Sequence, residues 1–410
     1  MTPRTRRGLL RAGGVALGGL LAGCNADVFG GDEDEFPPPA PTSAAPSEPQ
    51  SMPTGTAWPR FGADAGNTGH RPGVTAVPDD PTVYWSFFTQ ATPPVVEDGT
   101  LYTVETNGGT ALVARDAATG RVEWTAETEF GGALGVPAVA GDRLVVQSFT
   151  RLLTFDRETG DPEWNRAVGS GQPGSPVVVD GAVYLANDSF DGDPAVVFAC
   201  DLATGEERWT HELGSSEHLR GSVAVADRSV FVGAGDLVAL DVDDGTERWR
   251  TPFADPVETT PTVDDGTVYV TDARGTCHAV STADGTEQWT ASVGEPARGT
   301  AAAVADGAVY VGTTTGLHAI SNAGERRWQV DLTDAVTPSV DTESVYVGEN
   351  GFENRAIVAV NRADGTERWR RNTAERQVSD TIQAGVRGPP TTVEGGLYVV
   401  AADGIRAFGR

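Results

Sequence analysis

Short apolar runs alternate with tight polar turns along most of this chain, and the alternation itself repeats. A unit opens with an apolar run, turns through Gly or an acidic residue, and returns as a β-rich run with an aromatic residue. Pro176-Val177-Val178-Val179-Asp180-Gly181-Ala182-Val183-Tyr184 is one copy. Asp-Gly between alternating β-formers predicts a hairpin, because its two turn positions need a left-handed backbone. A third run follows, such as Gly235-Asp236-Leu237-Val238-Ala239-Leu240, and turns through Thr-Gly or Asp-Gly into a fourth that carries Trp. The clearest copies of that last turn are Asp201-Leu202-Ala203-Thr204-Gly205-Glu206-Glu207-Arg208-Trp209 and Asp241-Val242-Asp243-Asp244-Gly245-Thr246-Glu247-Arg248-Trp249. Counting Trp124, Trp164, Trp209, Trp249, Trp289, Trp328 and Trp369, successive spacings are 40, 45, 40, 40, 39 and 41 residues. Four short antiparallel strands every 40 or so residues predict β-propeller blades. Only residues 371–382 carry a helical period.

The two ends of the array predict how it closes. The last copy, over residues 389–408, has three runs and no Trp run. The first run, Val83-Tyr84-Trp85-Ser86-Phe87, is a Trp run with nothing before it, and Trp85 precedes Trp124 by 39 residues. Together they make one blade. The expected fold is therefore all-β: a monomeric eight-bladed propeller over residues 57–410, closed by the N-terminal strand joining the C-terminal blade. Closure leaves only short edges.

Residues 1–24 read as an export signal. Arg6 and Arg7 form a twin-arginine pattern before an apolar run too short for a comfortable membrane span. Leu21-Ala22-Gly23-Cys24 resembles a lipobox, which makes Cys24 the expected lipid attachment site. Residues 25–56, with Asp32-Glu33-Asp34-Glu35 and Pro37-Pro38-Pro39, cannot bury a core and read as a disordered acidic, Pro-rich tether. The expected location is extracytoplasmic, lipid-anchored to the outer face of the cytoplasmic membrane.

Charge narrows the partners. The net charge is −28, and all 30 basic residues are Arg. Such a field repels nucleic acid and anionic membrane surfaces. Acidic excess without Lys suits a halophile, and salt screening predicts stability that rises with ionic strength. Of the three Cys, Cys200 and Cys277 lie in the repeat body, two blades apart, and read as small core thiols.

The Asp-x-x-Thr-Gly-x-x-x-Trp phrase resembles the tryptophan-docking repeat of pyrroloquinoline-quinone dehydrogenases and of BamB-type lipoproteins. The opening Trp58-Pro59-Arg60-Phe61-Gly62, followed by Asn67-Thr68-Gly69, is similar to the start of many proteins in that superfamily. The resemblance implies the propeller from about residue 57 onward, in a BamB-like lipoprotein expected to be haloarchaeal. For a quinoprotein it would also imply a quinone, a calcium or lanthanide ion with Glu, Asn and Asp ligands, a catalytic Asp and often two adjacent Cys. This sequence has no adjacent Cys pair and lacks room for the long inserts that build such a site.

Candidate residues follow. Trp85 and the seven later Trp are expected to fill seams between blades, with the Gly turn admitting the close approach. Asn187-Asp188-Ser189 is a glycosylation sequon, and Asp188, Asp191 and Asp193 share an acidic loop that reads as solvated rather than as a calcium site. His278 and His318 sit at equivalent repeat positions, too far apart for one zinc. Arg220, Arg298 and Arg387 each precede Gly shortly before an inner strand, so they are candidates to ring the channel mouth and hold a carboxylate or phosphate. The segment 370–388 and the loop 349–355 are expected at that same face. The function expected is a non-catalytic binding or scaffold lipoprotein with a protein partner at the cell surface and no cofactor or metal. The alternatives are a quinoprotein oxidoreductase using pyrroloquinoline quinone with calcium, and a lipid-anchored sensor.

Overall fold

A computed structural model describes residues 57–409 except 78–79, 107–108, 128–134, 170, 189–193, 215–218, 220, 297–299, 352–354, 374–375, 379–380 and 384. The export signal with Arg6, Arg7 and Cys24, and the tether, lie outside the described residues.

Strands of residues 82–409 form eight four-stranded antiparallel sheets in meander order. Blade 1 spans Val95–Glu127, blade 2 Ala138–Ala167, blade 3 Val177–Glu212 and blade 4 Ala224–Thr251. Blade 5 spans Thr262–Ser292, blade 6 Ala303–Asp331 and blade 7 Ser339–Asn372. Blade 8 takes its first three strands from Thr391–Gly409 and its fourth from Thr82–Phe87. The closing register pairs Thr82 with Gly409, Val83 with Phe408 and Trp85 with Ala407. The expected closure is thus observed. The sequence's helical period over residues 371–382 does not produce a helix: Arg376–Val378 pairs with Thr381–Gln383 as a separate two-stranded hairpin. The chain continues from the outer strand of blade 7, and a short excursion between two strands costs less as a hairpin than as an uncapped helical turn.

The hairpin turns behave as their residues dictate. Asp98-Gly99, Asp180-Gly181, Asp265-Gly266 and Asp306-Gly307 all have positive φ at both positions, the backbone that matches strand twist in a two-residue turn. Between the third and outer strands of blade 3, Asp201 Oδ1 accepts from the N–H groups of Ala203 and Thr204 at 2.9 and 3.1 Å. Arg208 donates to Asp201 Oδ2 at 2.9 Å. That contact, aided by the turn's N–H groups, holds the Asp201 carboxyl below its ordinary pKa. The pairing register then shifts by one residue at Ala199/Cys200, and equivalent shifts occur in blades 1, 2, 4, 5, 6 and 7. Such bulges aim the Trp two residues on into the seam.

The seams carry the core. Eight apolar clusters each bridge two neighbouring blades. At every seam from blade 8/1 through blade 6/7, the Trp Nε1 donates to a carbonyl in the next blade. Trp85 reaches Ala117 O at 3.1 Å, Trp124 reaches Arg157 O at 3.2 Å and Trp164 reaches Leu202 O at 3.0 Å. Trp209 reaches Val242 O at 2.9 Å, Trp249 Thr282 O at 2.9 Å, Trp289 Asn322 O at 2.8 Å and Trp328 Arg362 O at 3.1 Å. The ring lies on the turn Gly of that next blade, where a Cβ would come within 3.0 Å of indole or neighbouring aromatic carbon at Gly120, Gly160, Gly205, Gly245, Gly285, Gly324 and Gly365. Trp369 is the exception. It packs on Phe408 and Tyr346, but its buried Nε1 has no partner. At that seam the outer strand of blade 8 comes from the other end of the chain, so no Asp-x-x-Thr-Gly turn exists to supply the carbonyl.

Candidate functional site

The segment before the first strand was given no task by the sequence, yet it crosses the ring's centre. Trp58 exchanges backbone hydrogen bonds with Val96 of blade 1, and Pro59 O accepts from Val139 N of blade 2. Ala65, Gly66, Thr68 and Gly69 offer their carbonyls in turn to Val225, Val263, Val304 and Val340 of blades 4, 5, 6 and 7. The buried Asn67 Nδ2 donates to Val223 O and Pro261 O at 3.0 and 3.1 Å. Asn67 takes φ 58°, a left-handed conformation that Asn tolerates better than most residues. The signal for this role was present in Trp58-Pro59-Arg60-Phe61-Gly62 and Asn67-Thr68-Gly69, but spacing alone does not say that a segment will thread its own ring.

Above this segment lies one cavity of about 660 Å³ at the end where the inner strands begin. Residues ahead of all eight inner strands line it, among them Pro93, Val136, Ser175, Gly221, Thr260, Thr300, Thr337 and Gly388, and Phe61 forms part of its floor. Side-chain hydrogen bonds stitch these stretches blade to blade. Ser175 N donates to Ser222 Oγ at 2.8 Å, Ser222 N to Thr260 Oγ1 at 3.2 Å and Ala301 N to Thr337 Oγ1 at 3.0 Å. Ser339 Oγ donates to Pro390 O, and Thr391 Oγ1 to Pro94 O at 2.6 Å. The result is a polar collar whose backbone amides are engaged, so the lining that remains for a ligand is side chains and loop tips.

The Arg-Gly pairs have a structural reason on the Gly side. A Cβ on Gly221 would meet Thr260 Oγ1 at 1.9 Å, and one on Gly388 would meet Pro93 Cγ at 2.3 Å; each Gly admits the next blade's collar. Arg387 lines the cavity and is exposed. Arg220 and Arg298 lie outside the described residues, although Leu219, Gly221 and Thr300 beside them line the same cavity. The three are not fully equivalent in register: Arg220 and Arg387 stand four residues before the strands beginning at Ala224 and Thr391, and Arg298 five before Ala303. Asp188 and Asp334 supply negative charge to the lining, and burial raises the Asp334 carboxyl pKa. Described residues of the loop 349–355 and of the segment 370–388 reach this face. Asn350 lines the cavity, Gly385 packs against it, and Val386 N donates to Glu349 O at 3.2 Å.

Other candidates resolve structurally. Asn187, offered by the sequence for glycosylation, is buried: its Nδ2 donates to Val168 O at 2.6 Å. The folded ring therefore does not present that nitrogen to a glycosyl donor, because closing the loop onto blade 3 consumes it; Ser189, Asp191 and Asp193 lie outside the described residues. His278 is buried between Glu287 and Asp272, at 2.8 and 3.2 Å, and against the Phe253 ring. His318 contacts Thr313 Oγ1 at 3.4 Å. Cys200 and Cys277 are both free and buried, and burial pushes both thiols up to about 12. Among the described residues no three His, Cys, Asp or Glu side chains gather as metal ligands. The docking Trp sit in seams and none lines the cavity.

Ring closure, Trp seams and a lined central mouth define a tryptophan-docked, quinoprotein-type propeller. The family described as outer membrane protein assembly factor BamB matches residues 71–218, 193–335 and 316–408, and the chain belongs to that family. No curated protein matches it. Among solved structures, the chain is similar to quinohemoprotein alcohol dehydrogenase from Comamonas testosteroni, at 15% identity and TM-score 0.71, covering 87% of this chain and 81% of that one. It is also similar to BamB from Moraxella catarrhalis, at 17% identity and TM-score 0.61, covering 81% and 100%. A europium-containing methanol dehydrogenase aligns at 12% identity and TM-score 0.67, covering 86% and 89%. At these identities the structural matches carry the fold alone.

Proposed function

We propose that this protein is a non-catalytic binding or scaffold module, exported and held by lipid at Cys24 on the outer face of the cytoplasmic membrane, whose channel-mouth face captures a protein partner. The observation that carries the reading is the mouth itself. Stretches from all eight blades line one cavity, a hydrogen-bonded collar ties them together, and a two-stranded hairpin, Arg376–Val378 with Thr381–Gln383, precedes the cavity-lining Val386 and Arg387. Recognition concentrates on loops that a rigid scaffold positions. Arg387 would supply a guanidinium group for an acidic group of the partner, together with Arg220 and Arg298 if they converge with it.

The test is replacement of residues 376–383 by a Gly-Ser turn. The cut stops short of Thr373 and Val386, because Thr373 N donates to Arg355 O and buried Val386 pairs with Ala401. Cross-linking on native membranes should lose its partner adducts while the melting temperature stays within a few degrees of wild type. Unchanged adducts would refute the assignment of this face. The second reading is a quinoprotein, a function hosted by the same fold in the alcohol dehydrogenases. Titration with pyrroloquinoline quinone and calcium should produce no new absorbance band; a saturable band would overturn the non-catalytic reading.

A further inference from the structure

The segment that threads the ring carries a buried cation without a counter-ion. Arg60 is 6% exposed, and its Nε and Nη1 are sealed from solvent with no acceptor. Burial lowers its pKa to about 10, so it remains protonated at neutral pH. Asp64 acts on it across space, but that carboxylate is committed to Thr68: Oδ1 accepts the Thr68 N–H at 3.0 Å, and Oδ2 accepts the Thr68 hydroxyl. No ion pair joins Arg60 to Asp64 among the described residues. The chain has 58 acidic residues against 30 basic ones, and many other guanidinium groups of the ring are paired, as Arg115 is with Glu105 and Arg362 with Asp306. An uncompensated buried charge is strongly destabilising unless something neutralises it.

We propose that Arg60 is the centre of a buried anion site that takes a small inorganic anion of the halide class. With Nε and Nη1 sealed from solvent, a halide, which needs the least room, is the anion expected at Arg60, and a glutamate-sized carboxylate is not. The placement gives the site a consequence. Pro59 O holds blade 2, and residues 65–69 hold blades 4 to 7, so an anion at Arg60 neutralises the buried cation of the segment that spans the ring. Halide then stabilises the fold by binding, a saturable effect that depends on which anion is present, in addition to the non-specific screening that follows ionic strength.

The test compares the full chain in potassium chloride, potassium bromide and potassium glutamate at equal ionic strength, reading the urea midpoint. Wild type should gain a saturable stabilisation in chloride and bromide over glutamate. Arg60→Met should remove that difference while keeping the common salt response, which subtracts general effects of the anions on water. Asp64→Asn removes the remaining negative charge and should enlarge the halide-specific gain, which keeps the proposal testable if Arg60→Met fails to fold. Bromide-grown crystals should show an anomalous peak at hydrogen-bonding distance from the Arg60 guanidinium, absent in Arg60→Met. Equal midpoints in chloride and glutamate for wild type, or a water without anomalous signal at Arg60, would overturn the proposal.

Discussion

Substituting Gly245 by Ala isolates the contact on which each seam depends. Two costs act there. Gly245 has φ +71°, and a left-handed backbone costs a residue with a Cβ about 1–2 kcal/mol. The new Cβ would also stand 2.5 Å from Trp209 Cε3 and 2.6 Å from Cδ2. Trp209 cannot retreat easily: its Nε1 is fixed on Val242 O at 2.9 Å and its ring packs on Tyr184 at 6.0 Å between centroids. Overpacking of that kind costs about 1–3 kcal/mol. Gly181 provides the control, since it also has φ +71° but a Cβ there meets nothing within 4 Å. Gly181→Ala should therefore lose only the backbone term, and Gly245→Ala about 2–5 kcal/mol in all. Equilibrium urea unfolding at fixed molar KCl measures both, with the slope checked for constancy. In a Trp209→Leu background, Gly245→Ala should fall to the cost of Gly181→Ala, because the clash has lost its partner. Equal losses for Gly245→Ala and Gly181→Ala in the wild-type background would refute the claim that the indole sets the requirement for Gly.

Two further outcomes follow from single groups. Trp209 and Trp369 are matched in burial, at 6% and 4% exposure, but only Trp209 has an acceptor for its Nε1; Trp→Phe should therefore cost about 0.5–1.5 kcal/mol more at Trp209 than at Trp369 in urea unfolding, and an equal or larger loss at Trp369 would contradict the missing-turn account. Burial, reinforced by the Arg326 guanidinium, lowers the pKa of His318 from its ordinary value near 6.5 to about 4. The unfolded chain then binds the proton more readily than the folded one, so this group's stabilisation is complete above pH 6.5 and is lost as pH falls from there through about 4. His318→Gln should flatten that part of the stability–pH curve, and an unchanged curve would show that His318 is protonated alike in both states.

The architecture was legible because each blade announces itself twice, once by its Asp-Gly hairpin and once by its Trp turn. Even the split blade could be read, since Trp85 keeps the phase of the later Trp although its sheet is completed at residue 409. The site was legible only by halves. Arg387 could be assigned to the mouth because propeller inner strands begin at one face, yet the sequence did not reveal the one-residue register difference at Arg298, nor that Asn187 turns inward to bond Val168 O. Both depend on where a loop closes against a neighbouring sheet, which local pattern does not encode. The threading segment was invisible for the same reason. Its hydrogen bonds join residues 58–69 to partners as far away as residue 340, and its local marks are Trp58 and four left-handed positions, at Gly62, Ala63, Asn67 and Gly69.

These two halves correspond to a division of labour in the ring. Stability is set toward the outer strands, where Trp, turn Gly and a carbonyl repeat at seam after seam with little tolerance for change. The proposed recognition face is the mouth, where each blade contributes a short stretch before its inner strand and adjacent stretches are tied to one another by Ser and Thr hydroxyls. Because the collar engages its own backbone, a mouth loop can lengthen, as over residues 373–386, without loosening the sheet that follows. The Trp phrase therefore reports the fold and is silent about the ligand. Of the stretches between blades in this chain, the longest joins blades 7 and 8, and it forms a hairpin of its own. Partner capture should accordingly respond to substitutions at residues 376–383 and 387 and be insensitive to substitutions confined to exposed outer-strand positions such as Val122.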